Sequence, residues 1–426
     1  MPTRKPSKGE PRPPPEKTSR SVRLSGGLDV TIDAFDGKLH ELKHLTKQGK
    51  TPMNHERLIT RRWLLKTAVV GASGVAAGTL LQTPSGATTS QTTAVQVPVK
   101  LRCPDFPRFR GPFPILSTPF TTSGAVDFEV LASEARFADW CGSPGMIWPQ
   151  SNDSVDLLTT EEKLEGMEVL AKTTQSLKTT ALCLGVQGKD TDDMLVYAKH
   201  AKELAPTAII SRPPDTGKTQ DDLCQYWRAL ASVITEQPVM IQTTARSGGI
   251  SPSTELLIEL AKEFPNFGYV KEESNPVIPR IRALLASPSI RSVFSARGAY
   301  GWLYESRLGT EGLVTERIVY ADILAKIWEL MKSGSDPEML KDMYSKLMLM
   351  FNLQQTLPGD LRGYSLYLLK MRGVFRTMIS REYGPGGSTP DKPIVRDLKL
   401  SEQEIAEIEW RFESLKPYLK PGKFDA

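Results

Sequence analysis

One lysine stands at the end of a short apolar run and could act as a nucleophile. Residues 267–274 read Phe-Gly-Tyr-Val-Lys-Glu-Glu-Ser, which predicts a strand that delivers Lys271 at its carboxyl end. An amine held away from bulk water can attack a carbonyl carbon and form an imine. A lysine just after a strand is more often a solvated surface residue, because its ammonium is rarely buried without a partner. The surrounding architecture decides between these two interpretations.

The residues that other catalytic chemistries require are scarce in most of the chain. Three of the four histidines precede residue 88, which leaves only His200 beyond it. This disfavours a Ser-His-Asp triad, a Cys-His pair and a histidine-rich metal site. The spacing of the cysteines matches no metal-binding motif, and we expect free thiols rather than a disulfide framework at Cys103, Cys141, Cys183 and Cys224. We therefore expect neither a metal ion nor a cofactor.

Lys271 falls within a repeated alternation of strand and helix patterns. The predicted strands are residues 115–120, 145–149, 180–186, 207–211, 238–243, 267–271, 292–295 and 312–315. Helical patterns follow them at residues 127–141, 160–174, 190–204, 220–235, from 251 onward, 277–285, 299–308 and 318–331. Eight such units predict an α/β fold, a (β/α)8 TIM barrel over residues 111–335. Active sites of these barrels lie at the carboxyl ends of the strands, which is where Lys271 would stand.

The rest of the chain divides by composition. Helical patterns at residues 337–354, 361–381 and 401–419 predict a C-terminal helical extension, 336–426. Residues 1–87 hold 15 of the 54 Lys and Arg residues but only 7 of the 49 Asp and Glu residues. The basic excess of the whole chain, +5, therefore belongs to this first part and predicts no nucleic-acid binding.

The first part itself has three predicted segments. Residues 1–57 are rich in Pro, Lys, Arg and Gly without periodicity, which predicts a disordered leader, and Met53 is a candidate true start. Residues 58–87 contain Arg61-Arg62, a bulky apolar pair, a lysine and a weakly apolar run, the pattern of a twin-arginine signal peptide. An alternative is an arginine pair before a buried helix. Residues 88–110, rich in Thr, Ser, Gln and Pro, are a predicted linker.

The signal predicts an address and a transient partner. A twin-arginine translocase would carry the folded chain across the membrane, so we expect a periplasmic or extracytoplasmic protein. This route often carries proteins with inserted cofactors, which keeps a cofactor-dependent oxidoreductase as a third and weaker hypothesis.

Motifs in order along the barrel carry a family likeness. They are residues 114–120 (Pro-Ile-Leu-Ser-Thr-Pro-Phe), 158–162 (Leu-Thr-Thr-Glu-Glu), 212–214 (Arg-Pro-Pro), 246–248 (Arg-Ser-Gly) and 270–274 (Val-Lys-Glu-Glu-Ser). Through them the body, about residues 111–350, resembles the dihydrodipicolinate synthase / N-acetylneuraminate lyase family of Schiff-base aldolases. The resemblance depends on the order and spacing of these motifs together.

The resemblance implies roles for particular residues. Lys271 would form a Schiff base with a pyruvate-like 2-oxo acid or a sugar acid, and the protonated imine would act as an electron sink. Ser151 would be a second catalytic residue. The implied substrate-binding residues are Asn152, Arg246, Gln242 and Thr243. The implied partner is a small-molecule carboxylate, and the resemblance allows a homotetramer.

The chain departs from the family pattern at three places. The glycine-rich segment that grips the substrate carboxylate after strand two is replaced by residues 150–154, Gln-Ser-Asn-Asp-Ser. The proton-relay tyrosine of strand five is replaced by Gln242 or Ile241, and a second tyrosine after strand four is replaced near Asp215. Asp215 or Asp153 could move protons instead. These departures motivate a second hypothesis, a family barrel that has lost turnover and serves as a carboxylate-binding or interaction protein.

Overall fold

The computed structural model describes residues 19–24, 28–33, 109–151, 153–178, 180–246, 248–316, 318–353, 361–382 and 386–425. Ser19–Leu24 pairs antiparallel with Leu28–Asp33, within a unit, Met1–Ser90, that is separate from Gln91–Ala426. The composition of residues 1–57 predicts disorder, but the polar–apolar alternation of Leu28–Asp33 suits a strand. The predicted signal peptide, 58–87, and the linker up to residue 108 lie outside the described residues.

Eight parallel strands form the barrel that the sequence predicts. They are β1 (Gly111–Pro114), β2 (Gly145–Trp148), β3 (Ala181–Gly185), β4 (Ala208–Ser211), β5 (Val239–Gln242), β6 (Tyr269–Lys271), β7 (Ser292–Ser295) and β8 (Gly312–Thr315). Each strand from β2 to β7 pairs with the strand that follows it in sequence, and β8 pairs with β1. A single parallel bridge between Ile115 and Ile147 connects β1 to β2 and completes the circle.

One helix follows each strand and covers the outside of the barrel. They are α1 (Phe128–Trp140), α2 (Thr160–Thr174), α3 (Thr191–Leu204), α4 (Gln220–Val233), α5 (Thr254–Glu263), α6 (Val277–Ala286), α7 (Trp302–Leu308) and α8 (Ala321–Ser333). Local sequence explains several starts, because Thr159 with Glu162 and Thr219 with Asp222 form capping boxes at α2 and α4. The TIM-barrel prediction is therefore confirmed.

The first strand is the clearest boundary error. The sequence predicted it at residues 115–120, but the paired strand is Gly111–Pro114. Beyond the Ile115 bridge the chain leaves the ladder, because Pro119 has no amide hydrogen and the amide of Thr118 donates to the Asp153 side chain at 2.8 Å. This segment therefore does not extend the wall of the barrel.

Apolar side chains fill the inside of the barrel. They are Phe109, Phe113, Ile115, Ile147, Ala181, Cys183, Ala208, Ile210, Met240, Tyr269, Phe294 and Val314. Successive strand residues point to opposite faces, so the residue two positions after an inward one also points inward. Lys271, Gln242 and Arg212 stand two positions after Tyr269, Met240 and Ile210. They therefore form part of a polar layer above this apolar filling, at the C-terminal end.

The C-terminal extension contains helices and one short strand pair. Its elements are α9 (Pro337–Phe351), α10 (Leu361–Met371), β9 (Ile379–Arg381), β10 (Val395–Asp397) and α11 (Glu402–Glu413). The helix predicted at residues 361–381 ends at Met371, because Gly373 adopts φ +76° and stops it. Arg381 then attaches β9 to the barrel, donating to the carbonyl oxygens of Gly124 and Leu157 and pairing with Glu162.

Two further findings concern the described part of the chain. Cys141, Cys183 and Cys224 are buried free thiols, as predicted, and burial raises the pKa of each. Cys103 lies outside the described residues. Over the same described residues, no helix combines the length and the apolar character needed to cross a membrane.

Candidate active site

The amine of Lys271 is enclosed at the C-terminal mouth of the barrel. Lys271 ends β6 in register with Gln242 of β5, and only 2% of it is exposed. Its Nζ donates to Gln242 Oε1 at 3.2 Å and lies 3.4 Å from Glu273 Oε1. The Gln242 amide nitrogen donates to the Thr244 carbonyl at 3.4 Å, which turns the amide oxygen toward the amine. The amine is therefore held by one neutral acceptor and one carboxylate.

Thr243 fixes the turn that follows Lys271. Its hydroxyl accepts hydrogen bonds from the amides of Glu273 (3.0 Å) and Ser274 (3.2 Å) and donates to Glu272 Oε1 at 2.8 Å. Glu272 is fully buried on the outer face of β6, where Arg280 Nε lies 3.1 Å from it. Successive strand residues point to opposite faces, so Thr243 points away from the mouth into which Gln242 points. The sequence predicts that Thr243 binds substrate, but in the structure its hydroxyl positions the turn after Lys271.

Arg246 belongs to a cluster of two arginines and two aspartates. Its guanidinium lies 3.0 Å from Asp156 Oδ1 and 3.7 Å from Asp215 Oδ2, and 45% of the side chain is exposed. Arg212, almost fully buried, lies 3.0 Å from the same Asp156 oxygen and 3.6 Å from Asp215. The sequence predicted an Arg246 that faces the substrate and an Asp215 that moves protons, yet each already has partners of opposite charge.

Ser151 is connected to this cluster. Its hydroxyl accepts a hydrogen bond from Arg212 at 3.3 Å, so it lies between the end of β2 and the end of β4. In the sequence, Arg212 stands out only as part of a family motif. Its position two residues after the inward-facing Ile210 was the signal that could have identified it as a mouth residue. Asn152, predicted to bind substrate, lies outside the described residues.

Three buried polar side chains close to the ends of β2 and β3 have atoms without a hydrogen-bond partner among the described residues. They are Gln150 Nε2, Ser154 Oγ and both amide atoms of Gln187. Gln187 is two positions after Gly185, and a side chain at Gly185 would clash with both the Gln187 amide and the Pro149 carbonyl. Buried polar groups are normally satisfied, so these groups indicate a place for a polar ligand or water.

Asp153 is occupied by a residue from the C-terminal extension. Arg362 of α10 lies 2.9 Å from Asp153 Oδ1 and donates to the Thr118 carbonyl at 2.7 Å. Asp153 also accepts from the amide and hydroxyl of Thr118. These contacts leave Asp153 as an anchor for the extension, in contrast to the proton-moving role considered from sequence.

A polar pocket of about 440 Å³ opens beside the Lys271 turn. It is lined by Gln220, Thr244, Ser251, Pro252, Ser253, Glu273, Ser274, Asn275 and Arg280. Glu273 therefore contacts the Lys271 amine on one side and this pocket on the other. Within the described residues, no group of three or more His, Cys, Asp or Glu side chains is arranged to hold a metal ion.

Comparison with known sequences gives one family. The sequence model of the "Dihydrodipicolinate synthetase family" matches residues 108–361. The 4-hydroxy-tetrahydrodipicolinate synthase of Bacillus subtilis (strain 168) is 26% identical over 183 residues, 43% of this chain and 62% of that protein. The enzyme of the same name from Chlorobium chlorochromatii (strain CaD3) is 23% identical over 243 residues, 56% of this chain and 80% of that protein. The matched segment thus spans less than two thirds of the Bacillus subtilis relative.

Comparison with solved structures gives the same barrel. Dihydrodipicolinate synthase from Aquifex aeolicus superimposes with a TM-score of 0.61 at 20% identity, covering 73% of this chain and 100% of that one. The sialic acid aldolase of Ruminococcus gnavus gives a TM-score of 0.63 at 16% identity, with 73% and 100% coverage. At these identities the likeness establishes the fold. Each superposition covers the whole of the solved chain but only 73% of this one, so the rest of this chain lies outside the superimposed part.

Proposed function

The chain belongs to the dihydrodipicolinate synthetase family, and from this premise we propose that it is a Schiff-base lyase or aldolase. Its substrate would be a pyruvate-like 2-oxo acid or a sugar acid. The observation that carries the proposal is the Lys271 amine, 2% exposed at the C-terminal mouth and held by Gln242 and Glu273. Lysine is almost never fully buried unless it is paired, and the active sites of TIM barrels lie at this end of the strands.

The chemistry follows from the position of the amine. The neutral Nζ of Lys271 attacks the C2 carbonyl carbon of the 2-oxo acid, and loss of water from the carbinolamine gives an imine. Protonated, this imine withdraws electrons from the adjacent carbon, so that a C3 proton can leave or a C3–C4 bond can break. Gln242 accepts a hydrogen bond from the amine and orients it, but its amide cannot act as an acid or a base.

The ends of β2 and β3 supply donors for the carboxylate of such a substrate. Gln150 Nε2, Ser154 Oγ and Gln187 Nε2 are buried and have no partner among the described residues. Neutral hydrogen-bond donors of this kind can bind an anion without adding a charge to the site. A buried donor without a partner costs free energy, and a hydrogen bond to the bound carboxylate would remove that cost. In this proposal they take over the role that a glycine-rich backbone segment plays in the family pattern.

Hydrogen exchange into pyruvate tests the proposal without knowledge of the second substrate. An imine of pyruvate tautomerises to an enamine, so turnover in deuterium oxide replaces the methyl protons of pyruvate with deuterium, which proton NMR follows directly. We expect exchange with at least one 2-oxo acid of a panel. Lys271→Met should abolish it, whereas Lys202→Met, which changes an exposed lysine of α3, should leave it unchanged. Equal exchange in the Lys271→Met protein would overturn the proposal.

A second candidate is a barrel that binds a carboxylate ligand without turnover. The contact between Gln242 and the Lys271 amine favours this candidate. Gln242 stands at the position of the family's proton-relay tyrosine, and its amide cannot transfer a proton. This candidate predicts that a 2-oxo acid raises the melting temperature of the protein while no deuterium enters it. Exchange that depends on Lys271 would exclude it.

Export and assembly are further parts of the proposal. Arg61-Arg62 supports export by the twin-arginine translocase to the periplasm, and family membership supports a homotetramer. Replacing both arginines by lysine should retain the full-length chain in the cytoplasmic fraction of a host with this translocase. Unchanged export of that variant would contradict the signal. Sedimentation of the mature chain would test the tetramer.

A further inference from the structure

We propose that Glu273 is the acid–base residue that moves protons at the Lys271 amine. The inference rests on the proposed Schiff-base function and adds to it the group that replaces a tyrosine relay. Glu273 Oε1 lies 3.4 Å from Lys271 Nζ, and 10% of the glutamate side chain is exposed. It therefore touches the reacting atom while keeping a route to solvent.

The other groups at the mouth do not suit this role. Gln242 bonds the same nitrogen but cannot exchange a proton. Glu272, although adjacent in sequence, is turned to the outer face, where Thr243 and Arg280 hold it. Among the aspartates considered, Asp153 pairs with Arg362, and both Asp156 and Asp215 pair with the arginines of the cluster.

The backbone and the pocket make Glu273 suited to the task. Its amide donates to the Thr243 hydroxyl at 3.0 Å, which fixes the residue directly after the strand. Its side chain lines the 440 Å³ pocket together with Thr244, Ser251 and Asn275. Arg280 lines the same pocket from α6, but its Nε faces Glu272 and its terminal nitrogen donates to the Pro252 carbonyl at 2.9 Å. Glu273 can therefore receive a proton from the amine and exchange it with pocket water.

The proton balance of imine formation needs such a residue twice. The Lys271 ammonium first gives one proton to the Glu273 carboxylate, and the neutral amine forms the C–N bond while the carbonyl π electrons move to oxygen. The nitrogen and the oxygen exchange a proton to give the carbinolamine. Protonated Glu273 then donates to the hydroxyl oxygen, the C–O bond breaks, and water leaves. The product is a protonated imine beside a carboxylate, the charge state from which the pair started.

Glu273→Gln keeps the size of the side chain and removes its proton chemistry. A positioned acid–base group contributes about 10²–10⁴-fold, so we expect the rate of pyruvate exchange and the initial rate of imine formation to fall by about 10²-fold. The pH profile of the rate should lose one of its ionisations. Formate should restore part of the rate in Glu273→Ala, where the shortened side chain leaves space beside the pocket. Glu263→Gln, on the outer surface of α5, is the matched control.

The outcomes separate this inference from the proposed function. If the wild type exchanges pyruvate and Glu273→Gln does so at the same rate and with the same pH profile, Glu273 is not the relay, and the Schiff-base function stands. If the wild type itself neither exchanges pyruvate nor forms an adduct, the proposed function fails first. A slow Glu273→Gln protein with an unchanged pH profile and no formate rescue of Glu273→Ala would mean a structural role and would also overturn the inference. Thermal unfolding of each variant identifies any that fails to fold.

Discussion

The two ends of the barrel handle buried polar groups differently. At the N-terminal end, Arg110 and Glu311 form an ion pair of 2.6 Å and are 3% and 0% exposed. The ring of Phe109 covers this end, with its centroid 5.0 Å from that of Tyr269 and 5.2 Å from those of Phe113 and Phe294. At the C-terminal mouth, polar atoms of Gln150, Ser154 and Gln187 have no partner within the described residues, whereas at the start of β7 this holds for one atom, Ser292 Oγ.

This difference separates stability from function within one fold. Close packing and a matched ion pair at the N-terminal end hold the strands together. Buried polar atoms without partners reduce stability, so a chain that keeps several of them at one end uses them for something else. Substitutions at the N-terminal end should therefore change unfolding, and those at the mouth should change chemistry.

The largest effect on stability should come from the N-terminal end. Glu311→Gln removes the carboxylate that pairs with the buried Arg110, and removing one partner of a buried pair costs about 3–5 kcal/mol. Urea unfolding measures it. In Glu263→Gln the partner that remains, Arg228, is 46% exposed, so the cost in unfolding free energy should stay below about 1 kcal/mol. Equal costs for the two variants would refute the proposed role of this end, and a folded Glu311→Gln protein should keep its exchange activity.

Gln187→Leu should have the opposite pattern. The change removes two buried polar atoms that have no described partner, so the free energy of unfolding should stay constant or rise by about 1 kcal/mol. Loss of one hydrogen bond to the substrate should raise the half-saturating 2-oxo acid concentration about tenfold. Gln220→Leu is the contrast, because both amide atoms of Gln220 are bonded, at 3.0 and 2.7 Å, and stability should fall. A destabilised Gln187→Leu protein with normal affinity would contradict this account of the mouth.

Glu134 of α1 gives a pH-dependent prediction. Complete burial raises the pKa of Glu134 well above its ordinary 4.5, and one of its oxygens has no described hydrogen-bond partner. The folded state thus retains a proton that the unfolded state loses above about pH 4.5, so the wild type loses stability as pH rises through that range. Glu134→Gln lacks this loss, and its advantage in unfolding free energy should widen from pH 4.5 to 7. A difference that stays constant over this pH range would show that Glu134 does not titrate this way.

The smallest effect should come from Arg246→Gln. The guanidinium is 45% exposed, and Arg212 stays close to the same two aspartates when Arg246 is removed. We expect less than about 1 kcal/mol in stability. The half-saturating substrate concentration should rise by only a few-fold, because one positive charge is lost from the rim. If the half-saturating concentration rises more than tenfold in Arg246→Gln and is unchanged in Arg228→Gln, Arg246 contacts the substrate directly, as the sequence predicts.

Local patterns predicted the barrel because each signal lies within one element. Helix α2 and strands β7 and β8 begin and end where the sequence predicted, since a capping box or flanking polar residues define them. Strand periodicity also placed Lys271 at the mouth. The partners of Asp156 and Asp153 could not be predicted in this way, because Arg212 and Arg362 are 56 and 209 residues away in sequence. The contact between Glu273 and Lys271 could not be predicted either, because it depends on both side chains pointing into the barrel mouth.

Reduction of the trapped imine is the most direct test of the central claim. Mature protein is incubated with pyruvate or another 2-oxo acid and treated with borohydride, which converts an imine into a stable secondary amine, and peptide mass spectrometry maps the adduct. The account predicts one adduct, on Lys271, that is absent from Lys271→Met and present in Lys202→Met. No adduct on Lys271 with any 2-oxo acid, or an adduct only on exposed lysines, would contradict it.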